Sequence, residues 1–356
     1  MAGSTGSTSG AVATGRLITP HSARPPSVDW PYIAERAANP ISQRTGGWSE
    51  RRKARTPTKG HTLFTGLSAF PLTPIDEKGI DKRAFVGLVT RLADAGVDSI
   101  GALGSTGGYA YLSREQRAWA ARTAVEAAGT TPVIVGIGAL RTRDVLNLAA
   151  DAQSAGAAAV LLAPMTYQPL TDDEVFGLYE AVTAEISVPL VVYDNPGTTH
   201  VTFSDELHGR IAVLPKIGSI KIPGIVVEEA PGRIAVLRAV IPAHVTIGVS
   251  GDWLAAGGLL GGADAWYSVL AGLFPETVLA ITRAAQTGSS AAAVAASDRL
   301  EPLWALFQRY GSLRVVSAAA ESLGLVNSPN LPLPLLGLDH AARRELEAAL
   351  VVLGLN

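Results

Sequence analysis

Residues 158–195 read AAVLLAPMTYQPLTDDEVFGLYEAVTAEISVPLVVYDN. The two ends, AAVLLAP and PLVVY, are apolar almost without interruption, as strands buried on both faces of a parallel sheet are. Between them, residues 172–186 place apolar side chains at the 3.6-residue period of an amphipathic helix. Thr171 stands just before that helix with Glu174 three places on, which is a capping box. The stretch is therefore one strand–helix–strand unit, the crossover that parallel strands require.

The same texture extends outward in both directions from about residue 63. Strands are expected at 66–70, 99–103, 132–137, 158–164, 189–195, 217–222, 245–250 and 265–269. Helices are expected at 81–95, 114–128, 143–155, 172–186, 204–214, 227–240, 254–260 and 275–286. Ser113 and Gln116 form a second capping box, and Gly129, Gly156 and Gly288 fall where helices should end. Eight strand-then-helix units in succession predict an α/β fold of the (β/α)8 TIM-barrel class. An open doubly wound sheet is the alternative, but the crevice motif it would need is missing. Three more helices are expected at 291–309, 311–323 and 339–353, with the Pro-rich turn NSPNLPLP at 327–334 before the last. The division expected is a leader at 1–60, the barrel at 61–288, and a C-terminal helical extension at 289–356 packed on it. The leader is Ser/Thr/Gly-rich and then broken by prolines and charges, so little independent structure is expected there.

Composition narrows the chemistry. Of 356 residues, 47% are apolar and 17% charged, ample for a core, and the net charge of −2 offers no footprint for nucleic acid or an anionic membrane. Neither a secretory signal nor a spanning apolar run is found, so a cytoplasmic location is expected. The absence of cysteine excludes disulfides and thiolate chemistry. The six His (21, 61, 200, 208, 244 and 340) lack metal-binding spacing, so no metal is expected. Phosphate-binding and dinucleotide-binding glycine motifs are missing too. The basic residues are lopsided, with 23 Arg but only six Lys at 53, 59, 78, 82, 216 and 221. Arg stays protonated, whereas a Lys can be tuned to a neutral amine, so amine chemistry has few places to occur.

Barrel enzymes place their chemistry at the C-terminal ends of the strands. There the sequence offers Gly104-Ser105-Thr106-Gly107-Gly108, Tyr193-Asp194-Asn195-Pro196, Lys221 in IGSIKIPGIVV, and Gly251-Asp252. Lys221 lies in an apolar strand, where a buried ammonium tends to lose its proton and become a nucleophile. Its position alone also fits a strand-end Lys reaching solvent or a carboxylate. Tyr193 has two readings as well, a general acid/base beside Lys221 or a packing residue. Ser105 and Thr106 supply hydroxyls and successive N–H groups, suited to a proton relay or to a carboxylate.

Taken together, these segments resemble the dihydrodipicolinate synthase/N-acetylneuraminate lyase family of class I aldolases. The likeness runs from about residue 66 to the C-terminus and rests on GLSAFPLTP (66–74), GSTG (104–107), YDNP (193–196), IK (220–221) and SGD (250–252). It implies a Schiff base between Lys221 and pyruvate or another 2-oxo acid, with no separate cofactor. Tyr193 would move protons, with Ser105 and Thr106 as partners. The Ser105–Gly107 turn would hold the substrate carboxylate, and Tyr167, Thr198, Gly251 and Tyr267 would line the rest of the site. An aldehyde would be the second substrate, and a homo-oligomer, dimer or tetramer, the expected assembly.

Several positions depart from the family pattern. Gly108 stands in place of a Glu. Met165 and Thr166 replace a tyrosine pair whose second member reaches into a neighbouring subunit's site, with Tyr167 one place later. Thr198 occupies the position of the Arg that binds the aldehyde's distal carboxylate in lysine-biosynthetic members. The leading expectation is an aldolase or lyase acting at C3 of a 2-oxo acid. The alternatives are a sugar-acid dehydratase or aromatic hydratase-aldolase, a true lysine-biosynthetic synthase, and a silent oxo-acid-binding barrel.

Overall fold

The computed structural model describes Gly3 and residues 63–356. The expected leader at 1–60 and the domain boundary at 61 lie outside the described residues. Eight parallel strands close into a barrel: Gly66–Ala69 (β1), Ser99–Ala102 (β2), Val133–Gly136 (β3), Ala159–Leu162 (β4), Leu190–Tyr193 (β5), Ile217–Ile222 (β6), Thr246–Val249 (β7) and Ala265–Ser268 (β8). β1 pairs with both β2 and β8, which completes the ring and leaves no sheet edge. The TIM-barrel expectation is borne out.

Helices follow the strands on the outside: Lys82–Ala95 (α1), Arg114–Ala128 (α2), Thr142–Ser154 (α3), Asp172–Glu185 (α4), Asp205–Ala212 (α5), Ala230–Val240 (α6), Ala255–Leu260 (α7) and Pro275–Gln286 (α8). Both capping boxes form, Ser113 with Gln116 and Thr171 with Glu174. Asp81 and Ser204, expected as first helical residues, are instead N-caps whose side chains accept backbone N–H groups.

The C-terminal extension has four helices rather than three: Ser290–Asp298 (α9), Glu301–Tyr310 (α10), Ser312–Ser322 (α11) and His340–Leu353 (α12). The expected helix at 291–309 breaks because Pro302 cannot donate a backbone hydrogen bond, and it opens α10 in the first turn. A two-stranded hairpin, Ile75–Asp76 with Gly79–Ile80, was not expected from the sequence.

Alternation along each strand separates two cores. Outward residues such as Leu190, Val192, Ile220, Ile222 and Trp266 pack under the helices. Inward residues such as Ile134, Leu161, Val191, Tyr193 and Tyr267 fill the barrel. The filling is uneven by design of the sequence. β2 turns Ser99 and Gly101 inward and β7 turns Thr246 and Gly248 inward, so two sides of the ring have almost no interior side chain. A Cβ on Gly101 would lie 2.3 Å from the Phe70 ring, and one on Gly248 within 2.1 Å of Tyr267. The glycines make room for two large rings inside the barrel. One register irregularity, between Leu190 and Val191, brings Tyr193 of β5 level with Lys221 of β6.

Candidate active site

Among the described residues, Lys221 is the only Lys on an inward-facing barrel position, and it is 5% exposed. Its Nζ lies 4.1 Å from the centre of the Tyr193 ring, 4.2 Å from that of Phe70 and 5.5 Å from that of Tyr267. Burial among these rings pulls the amine below its ordinary pKa, while Tyr193 and Asp252 pull in the opposite direction. Burial wins, because no carboxylate makes an ion pair with the amine among the described residues.

Tyr193 is held from two sides. Its Oη lies 3.3 Å from Ser105 Oγ, at the turn after β2. It also accepts a 2.8 Å hydrogen bond from Asn195 Nδ2, and the same amide donates to Thr198 Oγ1 at 3.0 Å. Because Asn195 occupies an acceptor site of Oη, the phenolic proton remains free to serve Ser105 or a group at Lys221. Asn195 was not singled out in the sequence. Its signal was present in YDNP, but the partnership exists only once the chain turns into the short helix Pro196–Thr199.

Asp252 follows β7 and is buried. It accepts from Trp266 Nε1 at 2.9 Å, Leu270 N at 2.6 Å and Val269 N at 3.3 Å. Burial raises its pKa, against the lowering by these donors. The carboxylate thus ties the end of β7 to the turn after β8, and it is committed there. One residue past Tyr193, Asp194 turns outward toward α5, where Oδ2 lies 3.4 Å from Nε2 of the fully buried His208. His208 also stacks on Phe203, with ring centres 5.1 Å apart.

Tyr109 and Arg117 form a second buried pair near Tyr193. The Arg117 guanidinium sits 5.1 Å from the centre of the Tyr109 ring and donates to Gly138 O at 2.8 Å and Gly136 O at 2.9 Å. Desolvation brings Arg117 down to about 10. Desolvation, with Tyr193 adding to it, pushes Tyr109 up to about 12.

The structure brings together Lys221, Tyr193 and Ser105, with Thr198 joined through Asn195. Thr106 is buried on the same turn, and Gly107 follows it, where a Cβ would lie 3.0 Å from the Leu103 backbone. Gly251 takes a positive φ of 71°, and a Cβ there would lie 3.2 Å from the Gly224 backbone in the loop after β6. Two residues are placed differently from the expectation. Tyr267 is 1% exposed and lies under the amine, its hydroxyl donating to Ser219 Oγ at 2.8 Å, so it is a floor and not a wall open to the mouth. Tyr167 is 88% exposed, out in solvent and not enclosed with the others. Phe70 was missed, because a ring projecting right across the barrel depends on glycines far away in sequence.

The model of the dihydrodipicolinate synthetase family matches residues 63–352. The chain belongs to this family. With that, the reading as an enzyme, a lyase of the aldolase type, stands. The 4-hydroxy-tetrahydrodipicolinate synthase of Hyphomonas neptunium is 33% identical over 301 residues, covering 83% of this chain and 100% of that one. Among solved structures, the dihydrodipicolinate synthase of Agrobacterium tumefaciens is 47% identical with a TM-score of 0.80, covering 82% of this chain and 98% of that one. The chloride-inhibited dihydrodipicolinate synthase of Acinetobacter baumannii, solved with pyruvate, is 27% identical with a TM-score of 0.76, covering 83% of this chain and 100% of that one. Among the described residues, no helix is long and apolar enough to cross a membrane.

Proposed function

We propose that Lys221 of this dihydrodipicolinate synthetase family member forms a Schiff base with pyruvate and catalyses aldol addition at C3. The observation that carries this is the buried, pKa-lowered amine set level with Tyr193 across the β5–β6 pair. The neutral amine adds to the C2 ketone, and the carbinolamine loses water to give a protonated imine. Tyr193 relays the protons, with Ser105 as its hydrogen-bond partner. The imine draws electrons from C3, which gives up a proton to form an enamine. The enamine carbon then bonds to the carbonyl carbon of an aldehyde, and water releases the product and the free amine. The buried Ser105–Gly107 turn is the anchor for the pyruvate carboxylate, through backbone N–H groups and hydroxyls. No separate cofactor takes part in these steps.

The enamine can be tested without knowing the aldehyde. In deuterated water, the wild-type protein should exchange the methyl protons of pyruvate, followed by NMR, and Lys221→Ala should not. Exchange at the uncatalysed rate with wild-type protein would refute the mechanism.

Self-association belongs to the same reading. Tyr167 at 88% exposure and Leu140 at 62% project apolar surface from neighbouring loops at the C-terminal rim. A homo-oligomer meeting at this rim would cover them. Sedimentation should show a species larger than one chain, and Tyr167→Asp should shift it toward the monomer.

A further inference from the structure

Three aromatic rings surround Lys221 Nζ, but only one of them can move a proton in the proposed cycle. Tyr193 presents its hydroxyl to Ser105 and Asn195. Phe70 has no hydroxyl. The Tyr267 hydroxyl points away from the mouth and is spent on Ser219 Oγ. Yet the Phe70 ring centre is as near to Nζ, at 4.2 Å, as that of Tyr193 at 4.1 Å. Phe70 and Tyr267 also meet edge to face, with centres 6.1 Å apart at 82°, which fixes both ring planes.

Their placement is built into four strands. Gly101 and Gly104 on the β2 side clear the volume that Phe70 occupies, where a Cβ would lie 2.3 Å and 2.5 Å from the ring. Gly248 on β7 clears the volume for Tyr267. The nearest carboxylate to act on the amine, Asp252, is tied up by Trp266 and by two backbone N–H groups. A cation forming at this nitrogen therefore meets the faces of rings in a dry site, where the ring quadrupole attracts positive charge more strongly than it does in water.

We propose that Phe70 and Tyr267 form an aromatic seat that stabilises the cationic iminium nitrogen at Lys221, making both of them catalytic residues in addition to Tyr193. The proposal rests on the Schiff-base reading of Lys221. The seat addresses a conflict in that mechanism. Burial frees the amine for attack, but the same burial would penalise the cation formed when water leaves. Ring faces offset the penalty without adding a basic oxygen that would compete for the imine proton. They also keep water off the underside of the C=N bond, so that hydrolysis is confined to the mouth.

The test is electronic. Phe70 is replaced by 4-fluoro-, 3,5-difluoro- and 3,4,5-trifluorophenylalanine, which withdraw charge from the ring face with little change in shape. The readout is the pyruvate concentration that half-saturates borohydride-trappable adduct on Lys221, with thermal unfolding measured on every variant. The half-saturating concentration should rise stepwise with fluorination, by about tenfold across the series. Phe70→Leu, which keeps an apolar group but no ring, should reach or exceed the end of that series. A flat series with adduct forming normally would overturn the seat and leave the Schiff base standing. No adduct in the wild-type protein would overturn both.

Discussion

Lys221 carries a requirement that few side chains can meet, being neutral when it attacks and cationic afterwards. Desolvation lowers its pKa, so the attacking amine is present at lower pH than for an exposed Lys, whose value is about 10.4. The sign follows directly: imine formation should rise with pH and level off at a midpoint below that value, measured as the initial rate of borohydride-trappable adduct. Tyr193→Phe keeps the ring beside Nζ and removes the relayed proton. It should slow pyruvate proton exchange by about 10²–10⁴-fold while leaving Lys221 able to be trapped. Thr198 gives the mouth a neutral hydroxyl where the resemblance pointed to an Arg. Thr198→Arg should therefore lower KM for an aldehyde bearing a carboxylate by about tenfold, and leave a neutral aldehyde unchanged, in a steady-state comparison of the two. At this scale the sequence was informative wherever chemistry and scarcity coincided. Lys221 stood out as a Lys in an apolar strand of a chain with six lysines. Asn195 and Phe70 were hidden because an amide in a turn and a Phe in a strand are ordinary until their partners are known.

The elements owe their boundaries to local chemistry and their register to packing. Caps were legible: Ser113 and Thr171 open α2 and α4 with their boxes complete. The split between α9 and α10 was also present in the sequence as Pro302, though apolar periodicity ran straight through it. What periodicity could not show is which strand positions must lack a side chain. Gly101 and Gly248 have ordinary backbone angles and are glycine because the rings of Phe70, just past β1, and of Tyr267 in β8 occupy their side-chain space. Gly248→Ala should destabilise the protein by about 1–3 kcal/mol by overpacking, read from chemical denaturation. It should also weaken pyruvate adduct formation, because Tyr267 is the ring that must move.

At the scale of the whole molecule, closing the barrel joins residues that are remote in sequence. β5 and β6 put Tyr193 beside Lys221, β2 brings Ser105 to Tyr193, and the ends of β1 and β8 supply the rings beneath. The first strand is fastened to the start of β2 and to α8 by Asp98, which accepts from Leu67 N at 2.7 Å and takes a two-point contact from Arg283 of α8 at 2.7 and 2.9 Å. Asp98→Ala should cost about 1–2 kcal/mol of unfolding free energy in denaturant titration, since the site is partly solvated. The ring of eight units was legible because each unit repeats the same strand–helix grammar. The floor of the site was not, because it is a property of the closed ring and of no single unit. The most direct measurement is borohydride reduction of the wild-type protein with saturating pyruvate, followed by peptide mass mapping. A reduced pyruvate adduct on Lys221 alone is the expected result. An unmodified Lys221, or an adduct on Lys78, Lys82 or Lys216 instead, would contradict the assignment of Lys221 as the Schiff-base residue.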